Sequence, residues 1–243
     1  MDSAPFVIVL IVVVAAVSGG IAALNAHRQR KRFQEYAAQR GWDYTPSEHS
    51  LARSFPQVDP FGSGSSRRCT NVLRYRVGEY SGCSFDYSFT VSRGSGTNRS
   101  STTYRFHVVS FDLPHPLPRL TLRPEGMFDG VAKFFGSQDV QFESEEFNRA
   151  WFVQSEHLPA AHDLIHPRMM GWLLEPAQRG ASFVIEDGIL FTFLKGRQNL
   201  ENVDPLIDRL AGLFGHVPEF VWQKAQGEYP RPERGGGFFG IFG

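Results

Sequence analysis

Two cysteines in 243 residues exclude a disulfide framework and any zinc site built wholly from thiolates. An excess of charge is also missing, since 25 basic side chains face 25 acidic ones, and nothing is left to mark a nucleic-acid groove. Lysine is scarce, 4 against 21 arginines, a bias of the kind a GC-rich genome produces. Familiar catalytic signatures are absent as well. No H-E-x-x-H helix occurs, Gly78-Glu79-Tyr80-Ser81-Gly82 puts tyrosine in the place of a nucleophile-elbow serine, and Gly62-Ser63-Gly64-Ser65-Ser66-Arg67-Arg68 lacks the Walker lysine. What is present is ample apolar material, 42% against 21% charged, with 22 phenylalanines that suit aromatic-rich strands around a real core.

The apolar residues are unevenly spread. Pro5 to Leu24 carries no charge, and twenty helical residues at about 1.5 Å each span about 30 Å of hydrocarbon. Only Asp2 precedes this run, whereas a secretory signal would begin with basic residues. Basic residues follow it instead: His27 at the edge, then Arg28, Arg30, Lys31 and Arg32. The positive-inside rule then predicts a single-pass inner-membrane protein, N-terminus outside and C-terminal domain cytoplasmic. Residues 1–26 read as the anchor and 27–41 as a basic juxtamembrane helix. Its four cations lie at the membrane surface, each attracted to anionic lipid by about 1 kcal/mol. Gly19-Gly20 lacks the G-x-x-x-G spacing of a dimer face.

Beyond the anchor the pattern predicts one cytosolic α+β domain over 42–226, with a mainly antiparallel sheet and several short helices. Phe33, Tyr36 and Ala37 form a helical stripe that Gly41 ends. Residues 45–66 read as irregular connection after a short strand at 42–44. Strands are expected at 70–77, 83–92 and 103–113 as a meander, with Phe85, Tyr87, Phe89 and Val91 on one face. Shorter strands at 120–122 and 140–142 flank a helical turn at 131–135. Pro159 and Pro167 open helices over 159–165 and 167–174, and Asp187-Gly188 joins strands 181–186 and 189–195 as a two-residue hairpin. Asp204 caps a helix over 205–214 that Gly215 closes. The Gly/Phe-rich tail, 227–243, reads as disordered, with Phe238, Phe239, Ile241 and Phe242 as a candidate docking motif for a partner groove or membrane.

One cluster suggests chemistry: Glu156, His157, His162, Asp163 and His166, in which His162 and His166 stand four apart and offer two nitrogens to one metal. Glu143, with Glu145 and Glu146, supplies carboxylates for acid–base work. The preferred reading is plainer: histidines at the edge of a short helix, His166 capping the next, and a solvated acidic turn. No catalytic, cofactor or metal site is therefore assigned. Cys69 and Cys83 read as small hydrophobes, because nothing beside them would lower a thiol pKa.

The stretches Phe33-x-x-x-Ala37-x-x-x-Gly41-Trp42, Phe142-Glu143-Ser144-Glu145-Glu146-Phe147-Asn148 and His166-Pro167-Arg168-Met169-Met170 give residues 30–222 a look that resembles uncharacterised bacterial, in particular actinobacterial, single-pass membrane proteins. That resemblance implies an anchored cytosolic domain and supplies no activity or site residues. The expected function is a membrane-tethered interaction or scaffold module with a protein partner, the bilayer as second partner and no cofactor. The alternatives are a membrane-proximal, metal-dependent hydrolase using His157, His162, Asp163 and Glu143, and a lipid sensor using Arg28 to Arg32 and the aromatic tail.

Overall fold

The computed structural model describes residues 4–56, 58, 60–62, 64–94, 99–125 and 138–230, and for 4–12, 14–16 and 22 the backbone alone. The expected helical turn at 131–135 and the tail positions Phe238, Phe239, Ile241 and Phe242 lie outside the described residues.

A single helix, α1 (Ala4–Arg40), carries both the apolar stretch and the basic segment after it. Among the described residues no helix is long and apolar enough to cross a membrane. Much of the expected anchor falls where only the backbone is described. Gly41, at φ +68, reverses the chain after Arg40. Strand β1 (Asp43–Glu48) then runs back along α1. There the ring of Phe33 meets Tyr44 at 6.2 Å and Tyr36 meets Trp42 at 5.8 Å.

The remaining elements in chain order are α2 (His49–Ser54), β2 (Ser65–Val77), β3 (Tyr80–Arg93), β4 (Ser100–Asp112), β5 (Leu120–Pro124), β6 (Gln138–Asp139), α3 (Glu145–Ala150), β7 (Trp151–Ser155), α4 (Leu158–Leu164), α5 (Pro167–Leu174), β8 (Phe183–Glu186), β9 (Ile189–Lys195), α6 (Val203–Gly215) and α7 (Glu219–Ala225). The nine strands form one antiparallel sheet in the order β1-β2-β3-β4-β9-β8-β5-β7-β6. The domain is therefore α+β with a mainly antiparallel sheet, and β2-β3-β4 is the expected meander.

Each face of the sheet packs a core. On one face Leu73, Tyr75, Phe111, Leu122, Phe183 and Leu190 meet α1 and α4–α7. On the other, Cys69, Val72, Phe85, Tyr87, Phe106 and Phe191 meet α2 and the segment carrying Phe55 and Phe61. Strand β2 serves both cores because its register shifts between Thr70 and Leu73, at Asn71 with φ 52. The extra residue of this bulge inverts which side chains face each layer.

Several local expectations change. Residues 45–66 are not mere connection: β1 continues to Glu48, α2 buries Leu51 and Ala52, and the ring of Phe61 lies 5.0 to 5.7 Å from those of Phe55, Tyr87, Phe106, Phe191 and Phe193. The strand expected at 140–142 pairs instead as β6 at Gln138–Asp139. The acidic turn becomes α3, capped by the hydroxyl of Ser144, which accepts from Phe147 N at 3.2 Å. Asp204 does not cap α6; it sits in the first turn and accepts from Tyr36 at 3.1 Å and Arg40 at 2.8 Å, pinning α1 to α6. The hairpin turn Asp187-Gly188 is as expected, both residues at positive φ of 50 and 77.

Candidate functional site

The structure brings His157 and Asp163 together around Tyr229 and leaves His162, His166 and Glu143 in other surroundings. His157 Nδ1 accepts from Ala160 N at 3.1 Å and so caps α4, and its ring faces Tyr229 at 5.6 Å. His162 packs edge-on to Phe142 at 5.0 Å. His166 precedes α5 without a side-chain capping bond, and its Nε2 lies 2.9 Å from the carbonyl of His216. Asp163 accepts from Lys224 Nζ and Tyr229 OH, each at 2.8 Å. Burial opposes its ionisation, but these two donors outweigh burial and hold its carboxyl below the usual range. Glu143 precedes α3 with no role in its cap. Among the described residues no group of three or more His, Cys, Asp or Glu side chains is placed to hold a metal. Cys69 and Cys83 are free and buried, and burial pushes the Cys83 thiol up to about 12, leaving no thiolate at neutral pH.

A polar cluster not foreseen from sequence lies within the sheet's helix-covered layer. Ser84 Oγ is 2.9 Å from His107 Nε2, and Gln198 Nε2 donates to the same hydroxyl at 2.9 Å. Asp86 accepts from Gln198 N at 2.5 Å and from Asn71 Nδ2 at 2.9 Å. The other ring nitrogen of His107, Nδ1, is buried with no hydrogen-bond partner among the described residues. Despite the serine–histidine pair this is not a hydrolytic site: Ser84 is 0% and His107 1% exposed, so no substrate reaches either.

The open site is a groove of about 650 Å³ at one end of the strands. Its aromatic wall is Tyr80, Phe214 and Trp222: Tyr80, backed by the buried Phe111 at 5.0 Å, meets Phe214 edge-on at 4.9 Å, and Phe214 stacks on Trp222 at 5.0 Å. The turn between β2 and β3 brings Glu79 and Tyr80, and the last turn of α6 brings Phe214. Helix α7 offers Glu219 and Trp222, and Gln226 just past its end continues the same spacing of three and four along one helix face. At the floor Asp112 accepts from Ser81 Oγ at 2.9 Å, while its second oxygen is buried with no hydrogen-bond partner among the described residues. Burial raises its carboxyl above the usual range, more than Ser81 and the charge of Arg74 lower it. Glu79, Asp112 and Glu219 all line the groove; among the described residues His115 is its one basic-type side chain, and neither lysine nor arginine lines it.

The register fixes where this groove sits. Asp43 of β1 pairs with Arg74, which pairs with Cys83, while Glu48 pairs with Cys69, which pairs with Tyr87. Moving from Cys83 to Tyr87 therefore follows β1 away from Gly41, toward the N-terminal part of α1. Tyr80 and Ser81 lie in the opposite direction, so the groove opens at the end of the domain remote from the apolar stretch.

No family model and no curated protein matches this chain. Among solved structures the chain is similar to the mycobacterial trehalose monomycolate transport factor A, TtfA, with a TM-score of 0.56, 13% identity, and coverage of 77% of this chain and 95% of that one, a likeness that shows a shared fold.

Proposed function

We propose that this protein is a membrane-tethered interaction module, an accessory to a transport assembly of the cell envelope. The observation that carries it is the groove: aromatic, acidic, and turned away from the apolar stretch of α1. In this reading 1–26 anchor the chain with the N-terminus outside, 27–41 stand on the inner surface through Arg28, Arg30, Lys31 and Arg32, and the domain is cytoplasmic; it runs past the expected boundary at 226, since Tyr229, expected in a disordered tail, is buried in the core and donates to Asp163. The filled cores on both sheet faces suit a docking body better than a lipid carrier, since each is packed with phenylalanine and leucine. The solved neighbour is named a transport factor, which supports an accessory role beside a membrane machine.

The test is photocrosslinking in cells on the full-length chain, with and without residues 231–243, followed by carbonate washing of membranes and mass spectrometry. The expected result is a carbonate-resistant chain that captures one recurrent protein in near-equal amount. Release by carbonate, or capture of no recurrent protein, would refute the reading.

A further inference from the structure

We infer that the groove takes an arginine-bearing segment of the partner protein, and this rests on the interaction-module reading above. The charge is complementary: Glu79 and Glu219 flank the opening as exposed carboxylates, and the carboxylate of Asp112 lies at the floor. The aromatic wall selects among cations. A guanidinium is planar, stacks on a ring face and donates two parallel hydrogen bonds to a carboxylate, whereas an ammonium is a hydrated point charge that does neither as well.

This chain already holds one of its own arginines by that combination. Arg40 Cζ lies 3.7 Å over the ring of Tyr36 and 5.7 Å from that of Trp42, and its Nη2 donates to Asp204 at 2.8 Å. The groove offers the same kinds of group, with the rings of Tyr80, Phe214 and Trp222 along its wall and the carboxylate of Glu219 beside them, and no arginine lines it among the described residues. An aliphatic or anionic ligand fits worse, because it would leave the groove's negative charge unmatched in the first case and meet its repulsion in the second.

The experiment uses the full-length chain in detergent micelles with 5-fluorotryptophan, the Trp222 resonance being assigned by its loss in Trp222→Phe. The probes are a glycine-rich hexapeptide carrying two arginines, the same peptide with lysine, and the same with citrulline, which keeps the shape without the charge. Expected are saturable movement of the Trp222 resonance by the arginine peptide, binding several-fold weaker for lysine, and none for citrulline. Glu79→Gln combined with Glu219→Gln should weaken the arginine peptide at least tenfold; both sites are exposed and the change is isosteric, so the fold is kept. Citrulline binding as well as arginine, a double variant within twofold of wild type, or no movement of the Trp222 resonance would each overturn the inference. A copy lacking 231–243 that binds at least tenfold more tightly would assign the groove to the chain's own Arg231 and Arg234 and overturn an external partner. The peptide arm decides the ligand class alone. Loss of crosslinked partner from the wild type, with peptide binding intact, would remove the interaction-module reading and leave the arginine specificity standing.

Discussion

Lowering the pH from 7 to 4 should draw stability out of this fold through one side chain, His107. It is 1% exposed, one ring nitrogen meets Ser84 and the other has no hydrogen-bond partner among the described residues, and burial lowers its pKa from the ordinary 6.5 to about 4. The unfolded chain therefore takes up this proton below 6.5, while the folded chain declines it until about 4. Across that window the unfolded state binds more protons, so stability present at neutral pH is lost as pH falls. At about 1.4 kcal/mol per unit the loss amounts to about 3 kcal/mol by pH 4. Asp86, Asp112 and Glu186 oppose it in the bulk curve, because burial raises their carboxyls and the folded state then gains on protonation. A comparison with His107→Gln cancels those groups, since the glutamine amide reaches Ser84 as Nε2 does but does not titrate. Urea unfolding of the full-length chain in micelles at half-unit steps measures both. The wild type should lose about 3 kcal/mol relative to the variant between pH 7 and 4. A difference that stays within about 0.5 kcal/mol over that range would mean that His107 is solvated enough to charge in place, and the burial argument would fail.

Phe61→Ala removes a ring ringed by five others and should cost about 3–5 kcal/mol, a fall in melting temperature of about 7–13 °C for a domain of this size. A shift under about 3 °C would show that the face packed by α2 is not a core. Arg119→Leu strips the guanidinium from Glu186, whose side chain is 5% exposed, and should cost about 3–5 kcal/mol at pH 7. That loss should shrink as pH falls toward 4.5, because a carboxyl held above its ordinary value is most stable protonated; equal losses at pH 7 and 5 would count against it. Gly82→Ala puts a methyl 1.8 Å from the carbonyl oxygen of Ser110, so β3 and β4 must part, and a loss of about 3 kcal/mol or more is expected in thermal unfolding. An unchanged melting temperature would mean that the two strands approach less closely.

Legibility followed the range of the interactions involved. The face Phe85, Tyr87, Phe89 was readable because alternation is local, and Asp187-Gly188 because the turn itself demands positive φ. Helix α2 was not, since six residues with no side-chain cap hold together only by burying Leu51 and Ala52 against β2. Asp204 had the right spacing for a cap, but Tyr36 and Arg40, 168 and 164 positions away, claim both its oxygens. The bulge at Asn71 is set by its contact with Asp86 and by the need of one strand to face two layers. The groove was invisible for the same reason in larger form, because its walls come from separate stretches of chain near residues 80, 112, 188 and 222. Only the spacing of Glu219, Trp222 and Gln226 hinted that α7 presents a working face.

Helix α1 enters the sheet without a swivel. It is continuous from Ala4 to Arg40, its last turns are clamped by Phe33, Ala37 and Arg40, and only Gly41 and Trp42 separate it from β1. Such a rod transmits azimuth as well as height. One alanine inserted near Leu24 would turn the whole body about 100° around the helix axis and raise it about 1.5 Å, whereas seven would restore its bearing to within about 20° while lifting it about 10 Å. Partner capture that rises and falls with the helical phase of such insertions would mark a module whose aim is machined into the helix, and a fixed bearing restricts it to neighbours that stand at one side and one height.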